Sequence, residues 1–294
     1  MSEKFTGKGL GVAMITPFDK NNQVDYNAIK KIVENFLKNN VDYIVLLGTT
    51  SEYPCLSQEE QKKVVDFVKA IVNKRIPLVI GIGGNNTQEV LKKIETTDLQ
   101  DIMAILTVAP YYNKPNQDGL YAHFAEISKK SPLDLIVYNV PSRTGVNILP
   151  TTLLRLANDF KNIIAVKEAS GSVDQIMKIV KDKPKNFTVI SGDDALTLPL
   201  MSVGVAGVIS VAGNAFPKEI SEIVHLAAKN EFCKASEIHY KYLESIDLMF
   251  AEGNPVGVKY FMNKLSMCEY FVRLPLVPAS ENLKEKINLF LNKL

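Results

Sequence analysis

Leu135-Ile-Val-Tyr138, Ile163-Ile-Ala-Val166, Phe187-Thr-Val-Ile190 and Gly207-Val-Ile209 punctuate residues 135–209, and the reading of this stretch decides the fold. Each run is short, apolar and rich in β-branched residues, and a longer stretch of mixed polarity separates it from the next. Strands buried on both faces need near-continuous apolar runs, and their alternation with amphipathic segments is the pattern of βα units on a parallel sheet. Toward the N-terminus the same alternation recurs at Val12-Ala-Met-Ile15, Tyr43-Ile-Val-Leu-Leu47, Leu78-Val-Ile80 and Ile102-Met-Ala-Ile-Leu106, which makes eight runs in all. Eight consecutive units with no antiparallel return predict an α/β fold closed into a (β/α)8 TIM barrel; an open doubly wound sheet is the alternative.

The intervening segments carry helix-start signals. Ser57 followed by Glu60, and Ser172 followed by Gln175, both fit a capping box. After Ser57, the residues Val64, Val68, Ile71 and Val72 mark an inner face, with Gln61, Lys62, Lys69 and Asn73 opposite. Beyond residue 226 the strand pattern stops, so the barrel is assigned to 1–226 and a C-terminal helical appendage packed on it to 227–294. Breaks are expected at Gly253-Asn-Pro255 and Leu274-Pro-Leu-Val-Pro278.

Composition narrows the function classes. The chain has 294 residues, 46% of them hydrophobic, which supplies a large core. Its 34 basic and 32 acidic residues are interspersed, and the densest basic run is only Lys181-Asp-Lys-Pro-Lys185, so nucleic acid is not an expected partner. No apolar stretch approaches a membrane span, and Met1–Gly11 contains no apolar leader run, which reads as a cytoplasmic protein. Cys55, Cys233 and Cys268 lie far apart without a C-x-x-C, and His123, His225 and His239 fall in helical segments. A structural metal and a Cys/His nucleophile are therefore disfavoured.

A barrel of this kind builds its active site at the C-terminal strand ends. There stand Gly48-Thr-Thr-Ser-Glu52, Ala109-Pro-Tyr-Tyr-Asn113, Tyr138-Asn-Val-Pro-Ser-Arg-Thr-Gly145, Lys167-Glu168 and Ser191-Gly-Asp-Asp194. Lys167 closes an apolar run and should project toward the barrel mouth. Burial disfavours the charge on an amine, and a neutral amine is the nucleophile that forms a Schiff base with a 2-oxo acid; the plainer alternative is a lysine snorkelling to solvent. Hydroxyls surround it: Tyr138, Tyr111, Tyr112, Thr49 and Thr50 can each donate and accept, so they can relay protons to a carbinolamine without histidine. Gly48-Thr-Thr50 offers backbone N–H groups and hydroxyls as a carboxylate cradle. Gly81-Ile-Gly-Gly-Asn85 lacks the third glycine of a dinucleotide fingerprint and reads as a barrel loop. Asp193 and Asp194 read as caps of the following helix in preference to metal ligands.

Taken together, Gly48-Thr-Thr50, Tyr111-Tyr112, Tyr138–Gly145, Lys167-Glu-Ala169 and Ser191-Gly-Asp-Asp194 resemble the dihydrodipicolinate synthases, across essentially the whole chain. The resemblance implies a lyase of the diaminopimelate and lysine route. In it Lys167 condenses with pyruvate, and the enamine attacks L-aspartate 4-semialdehyde, with no added cofactor. It implies a relay of Tyr138, Thr49 and Tyr112, the last supplied by a neighbouring subunit of a homotetramer built as a dimer of dimers. Thr50 would hold the pyruvate carboxylate, Gly192 and Ile209 would line the pocket, and Arg143 would bind the semialdehyde carboxylate, for which a planar fork of donors is suited.

Two departures stand out. Ser51 occupies the position of the family's usual glycine. Asn85, Glu89 and Tyr111 match a lysine-inhibition site, but Tyr53, Pro54, Gln58 and Gln61 depart from the lysine-sensitive pattern, which puts feedback in doubt. The alternatives are a pyruvate-forming aldolase such as N-acetylneuraminate lyase or a 2-keto-3-deoxy sugar-acid aldolase, and a non-catalytic barrel that binds 2-oxo acids. Arg143 speaks against the first and the joint presence of Lys167, Tyr138, Thr49 and Tyr112 against the second.

Overall fold

A computed structural model describes residues 5–294. Eight parallel strands, β1 (Gly9–Ala13), β2 (Tyr43–Leu46), β3 (Leu78–Gly81), β4 (Ala104–Val108), β5 (Asp134–Asn139), β6 (Ile163–Glu168), β7 (Thr188–Ser191) and β8 (Gly207–Ser210), follow one another around a closed barrel. The ring shuts where β1 pairs with β8 in the register Gly9↔Gly207 to Val12↔Ser210. Glycine is needed at this seam: Gly207 has φ +150°, and a Cβ there would lie 2.0 Å from the Gly9 carbonyl oxygen.

Between and after the strands lie α1 (Tyr26–Lys38), α2 (Gln58–Val72), α3 (Thr87–Thr96), α4 (Gln117–Lys130), the single turn α5 (Pro141–Thr144), α6 (Pro150–Asp159), α7 (Val173–Asp182), α8 (Thr197–Ser202) and α9 (Pro217–Ala228). Three further helices, α10 (Phe232–Phe250), α11 (Val256–Lys264) and α12 (Glu281–Leu291), complete the chain. None of the described helices is long and apolar enough to cross a membrane. The reading of Met1–Gly11 falls in part on residues 1–4, outside the described residues.

The core has two compartments. Inside the barrel, Val45, Val79, Ala104, Ile136, Ala165, Ile190 and Ile209 are buried and packed together. At the N-terminal end the buried Tyr43 ring closes this interior, donating its hydroxyl to Gly7 O at 3.1 Å and meeting Phe5 edge-on. Outside, helix faces such as Ile29, Ile32, Val33 and Phe36 of α1 pack in a second cluster with the other side of the strands. Full burial of each such side chain contributes on the order of 2 kcal/mol.

Local expectations meet mixed outcomes. The Ser57–Glu60 capping box is complete in both directions. Ser172 accepts from Gln175 N, but the Gln175 side chain reaches Asn147 and Glu168 instead of returning to Ser172, so that box is half formed. In α2, Val64, Val68 and Val72 are buried as expected, while Val65 is buried and Ile71 only half-buried. Strand β1 begins at Gly9, so the run Val12–Ile15 joins its last residues to the turn that follows; there Ile15 N donates to Asn214 Oδ1 at 3.0 Å. Strand β4 sits later than the apolar run at Ile102, and β6 runs on through Lys167 and Glu168. The breaks at 253–255 and 274–278 separate α10, α11 and α12 as expected. The expected boundary at 226 falls in the last turn of α9, and the chain turns at Asn230, whose φ is 63°.

Candidate active site

Lys167 and Tyr138 are partners in the register of β6 and β5, and both side chains enter the C-terminal end of the barrel. The Lys167 Nζ stands 4.5 Å from the centre of the Tyr138 ring, and the two residues are 5% and 7% exposed. An amine this enclosed, beside an aromatic face, is not snorkelling. Thr49, Gly48, Leu47, Leu106 and Val108 line the same cavity. Gly192 lies against Lys167: a Cβ at that position would come within 3.0 Å of the lysine Cε and 2.7 Å of Ala169 Cβ, so glycine leaves the room that the lysine occupies. Ile209 belongs to the barrel interior with Tyr138 and Ile190.

Thr49 and Thr50 are carried by a 3₁₀ turn, Thr49–Ser51, directly after β2. Left-handed residues bracket it, Leu47 at φ 53° and Glu52 at φ 54°. Backbone of this kind costs on the order of 1–3 kcal/mol and persists only where surroundings enforce it. Ser51 is not among the left-handed residues; its side chain is buried and donates to Gly48 O at 2.7 Å, so the turn accommodates it.

The enforcing contacts come from the C-terminal region. Glu52 and Lys259 form an ion pair at 2.6 Å, with the two side chains 2% and 0% exposed. Lys259 also donates to Phe271 O at 2.8 Å and lies over the Phe18 ring, while Glu52 Oε2 accepts from Arg273 N at 2.9 Å. Burial pulls Lys259 below the ordinary lysine range, with Glu52 opposing that shift. Arg273 in turn forks onto Glu60, whose carboxyl is held down at about 2 by that hydrogen bond. Asn254 Nδ2 donates to Thr50 Oγ1 at 2.9 Å.

Two buried carboxylates fix the other strand ends. Glu168 accepts from Asn139 at 3.1 Å, from Ser170 N at 2.8 Å and from Gln175 at 3.2 Å, and burial raises its carboxyl above the usual range. Asp194 accepts from the Ser210 hydroxyl and from the N–H groups of Val211 and Ala212. It thus caps the turn after β8 and not the next helix, whereas Asp193 does reach Leu196 N at the start of α8. Glu168, Glu52, Lys259 and Asn254 were not singled out from sequence. The available signal was a charged residue at the end of an apolar run beside Lys167, as at Glu168; Asn254 offered none beyond its place in the Gly253–Pro255 break.

The remaining residues lie at the rim. Arg143, on α5, is exposed and has no side-chain partner among the described residues. Tyr112 is 88% exposed with φ 73°, so in the single chain it does not enter the cavity. Burial pushes the Tyr53 hydroxyl up to about 12, and the neighbouring Tyr111 adds to that shift. Tyr53 and Tyr111 line a cleft of about 570 Å³ with Pro54, Gln58 and Gln61, which adjoins the Lys167 cavity through Tyr53. Asn85 is tied to this region through its carbonyl, which accepts from Asn113 at 2.8 Å, and Glu89 opens α3. The histidines do lie on helices α4, α9 and α10; burial lowers His123 to about 4, and Asp42 raises His225.

A buried amine at the mouth of a closed (β/α)8 barrel, beside a phenol and a turn of hydroxyls, is the layout of a barrel lyase. The chain belongs to the dihydrodipicolinate synthetase family, whose model matches residues 6–294. A 4-hydroxy-tetrahydrodipicolinate synthase of Azobacteroides pseudotrichonymphae is 52% identical over 95% of both chains. The crystal structure of dihydrodipicolinate synthase from Thermotoga maritima superposes with a TM-score of 0.95 at 39% identity, covering 98% of this chain and 99% of that one. A monomeric dihydrodipicolinate synthase variant is also similar, with a TM-score of 0.94 at 39% identity over 97% and 96% of the two chains.

Proposed function

We propose that the chain carries out the 4-hydroxy-tetrahydrodipicolinate synthase reaction, condensing pyruvate with L-aspartate 4-semialdehyde. The observation that carries the reading is the enclosure of Lys167 against Tyr138 in the barrel mouth. The amine adds to the carbonyl carbon of pyruvate, and the carbinolamine loses water to give an iminium. Loss of a methyl proton gives the enamine, which bonds to the aldehyde carbon of the semialdehyde; the substrate's own amine then closes the ring and displaces Lys167. The iminium is the electron sink, so this chemistry requires no added cofactor.

Tyr138, Thr49 and Tyr112 relay the protons, Thr50 and the backbone of its turn hold the pyruvate carboxylate, and Gly192 and Ile209 shape the pocket. Arg143 takes the semialdehyde carboxylate, and its exposure without a side-chain partner among the described residues supports this. The exposure of Tyr112 supports its donation to a second subunit, in a homotetramer built as a dimer of dimers. The working unit is a cytoplasmic barrel, 1–226, with 227–294 packed on it. An effector lysine would have Asn85, Glu89 and Tyr111 for partners; Gln61 spends its amide on the carbonyls of Tyr53 and Leu56, which argues against strong feedback.

The test is turnover of the substrate pair by purified protein without added metal or nucleotide. Rapid consumption of both, lost by three or more orders of magnitude in a folded Lys167→Ala variant, is expected. No turnover, while borohydride still traps pyruvate on Lys167, would transfer the assignment to the sugar-acid aldolases.

A further inference from the structure

Thr50 and Asn254 are 204 positions apart, yet the amide Nδ2 of Asn254 lies 2.9 Å from the Thr50 hydroxyl, with Thr50 2% and Asn254 7% exposed. A threonine hydroxyl has one proton and two lone pairs. With a lone pair filled by the amide, the proton remains free for an acceptor. The opposite orientation, with the amide oxygen on Thr50, would consume that proton. In the observed arrangement Asn254 Oδ1 is buried without a hydrogen-bond partner among the described residues. An amide serving the fold alone would satisfy both of its ends. The rest of the turn leaves Thr50 little latitude, since Ser51 is bonded to Gly48 O and Glu52 to Lys259 and Arg273 N.

We infer that Asn254 is a positioning residue for the reaction: its amide N–H, donated to Thr50, leaves the Thr50 hydroxyl proton free to be donated to the carboxylate of pyruvate. This rests on the reading of Thr50 as a carboxylate ligand. The C-terminal helical region thereby enters the active site through the α10–α11 break, without touching substrate.

The test compares Thr50→Val, Asn254→Ala, Asn254→Asp and the Thr50→Val/Asn254→Ala double variant by steady-state kinetics and by borohydride trapping of pyruvate. Asn254→Ala should raise the pyruvate KM about tenfold while kcat and the semialdehyde KM stay within about twofold. The double variant should be no worse than Thr50→Val. Asn254→Asp keeps the shape but can hold Thr50 only by taking its proton, so it should raise the pyruvate KM at least as far. Should Asn254→Ala not fold, a pyruvate KM of the Asp variant within twofold of the parent overturns the inference. If Thr50→Val leaves the pyruvate KM unchanged, the carboxylate reading itself falls. If Thr50→Val raises it and Asn254→Ala does not, or if the two effects multiply, only the role of Asn254 falls.

Discussion

Arg143 projects from a single helical turn and is bonded to no other side chain among the described residues, so its removal costs the fold little. Arg143→Ala is expected to raise KM for the semialdehyde by roughly tenfold to a hundredfold and to leave KM for pyruvate within about twofold, because a charge-assisted pair to a carboxylate is worth about 1.5–3 kcal/mol. Steady-state kinetics with each substrate varied in turn decides this, and equal effects on both would remove Arg143 from its assigned role. Such residues are legible in sequence because they stand at strand ends in runs of chemically unusual company. Lys167 and Tyr138 were readable for that reason, and the structure adds that they are register partners on adjacent strands. Asn254 and Lys259 were not readable: each acts through a partner some two hundred positions away, and no local pattern encodes such a pairing.

At the scale of elements, the turn after β2 shows how a strained segment is held by another part of the chain. Replacing Lys259 by methionine keeps much of the volume but leaves Glu52 buried without its cation. Lys259→Met should therefore lose about 3–5 kcal/mol of stability in denaturant unfolding, and Glu52→Gln/Lys259→Met should recover a good part of it. Recovery of nothing would show that the pair does not act as a unit. Helix α2 could be read down to its capping box, because both halves of that signal are local. The box at Ser172 could not, since Gln175 finds stronger partners in Asn147 and the buried Glu168. Strand limits moved at β1, β4 and β6 because apolar character continues into buried turns and polar residues continue the ladder into the site.

For the molecule as a whole, eight apolar runs were enough to read a closed barrel, since each strand must be covered on both faces. What periodicity could not give is the ring's closing seam, which depends on Gly207 approaching Gly9. If Tyr112 serves a neighbouring subunit, Lys167→Ala and Tyr112→Phe chains, each nearly inactive alone, should complement one another. Half of randomly assorted dimers are hybrids, each with one intact site, so co-expression should restore about a quarter of the parental activity. Absence of complementation would place Tyr112 within its own subunit's site. The ties from Glu52 to Lys259 and Arg273, finally, set an order in time. A ribosome emits the turn at 48–52 roughly 10–40 s before the residues that clamp it, at about 5–20 residues per second. A nascent chain halted after its eighth strand therefore carries Lys167 without a clamped hydroxyl turn, and the turn is held only once residues 254–273 have emerged.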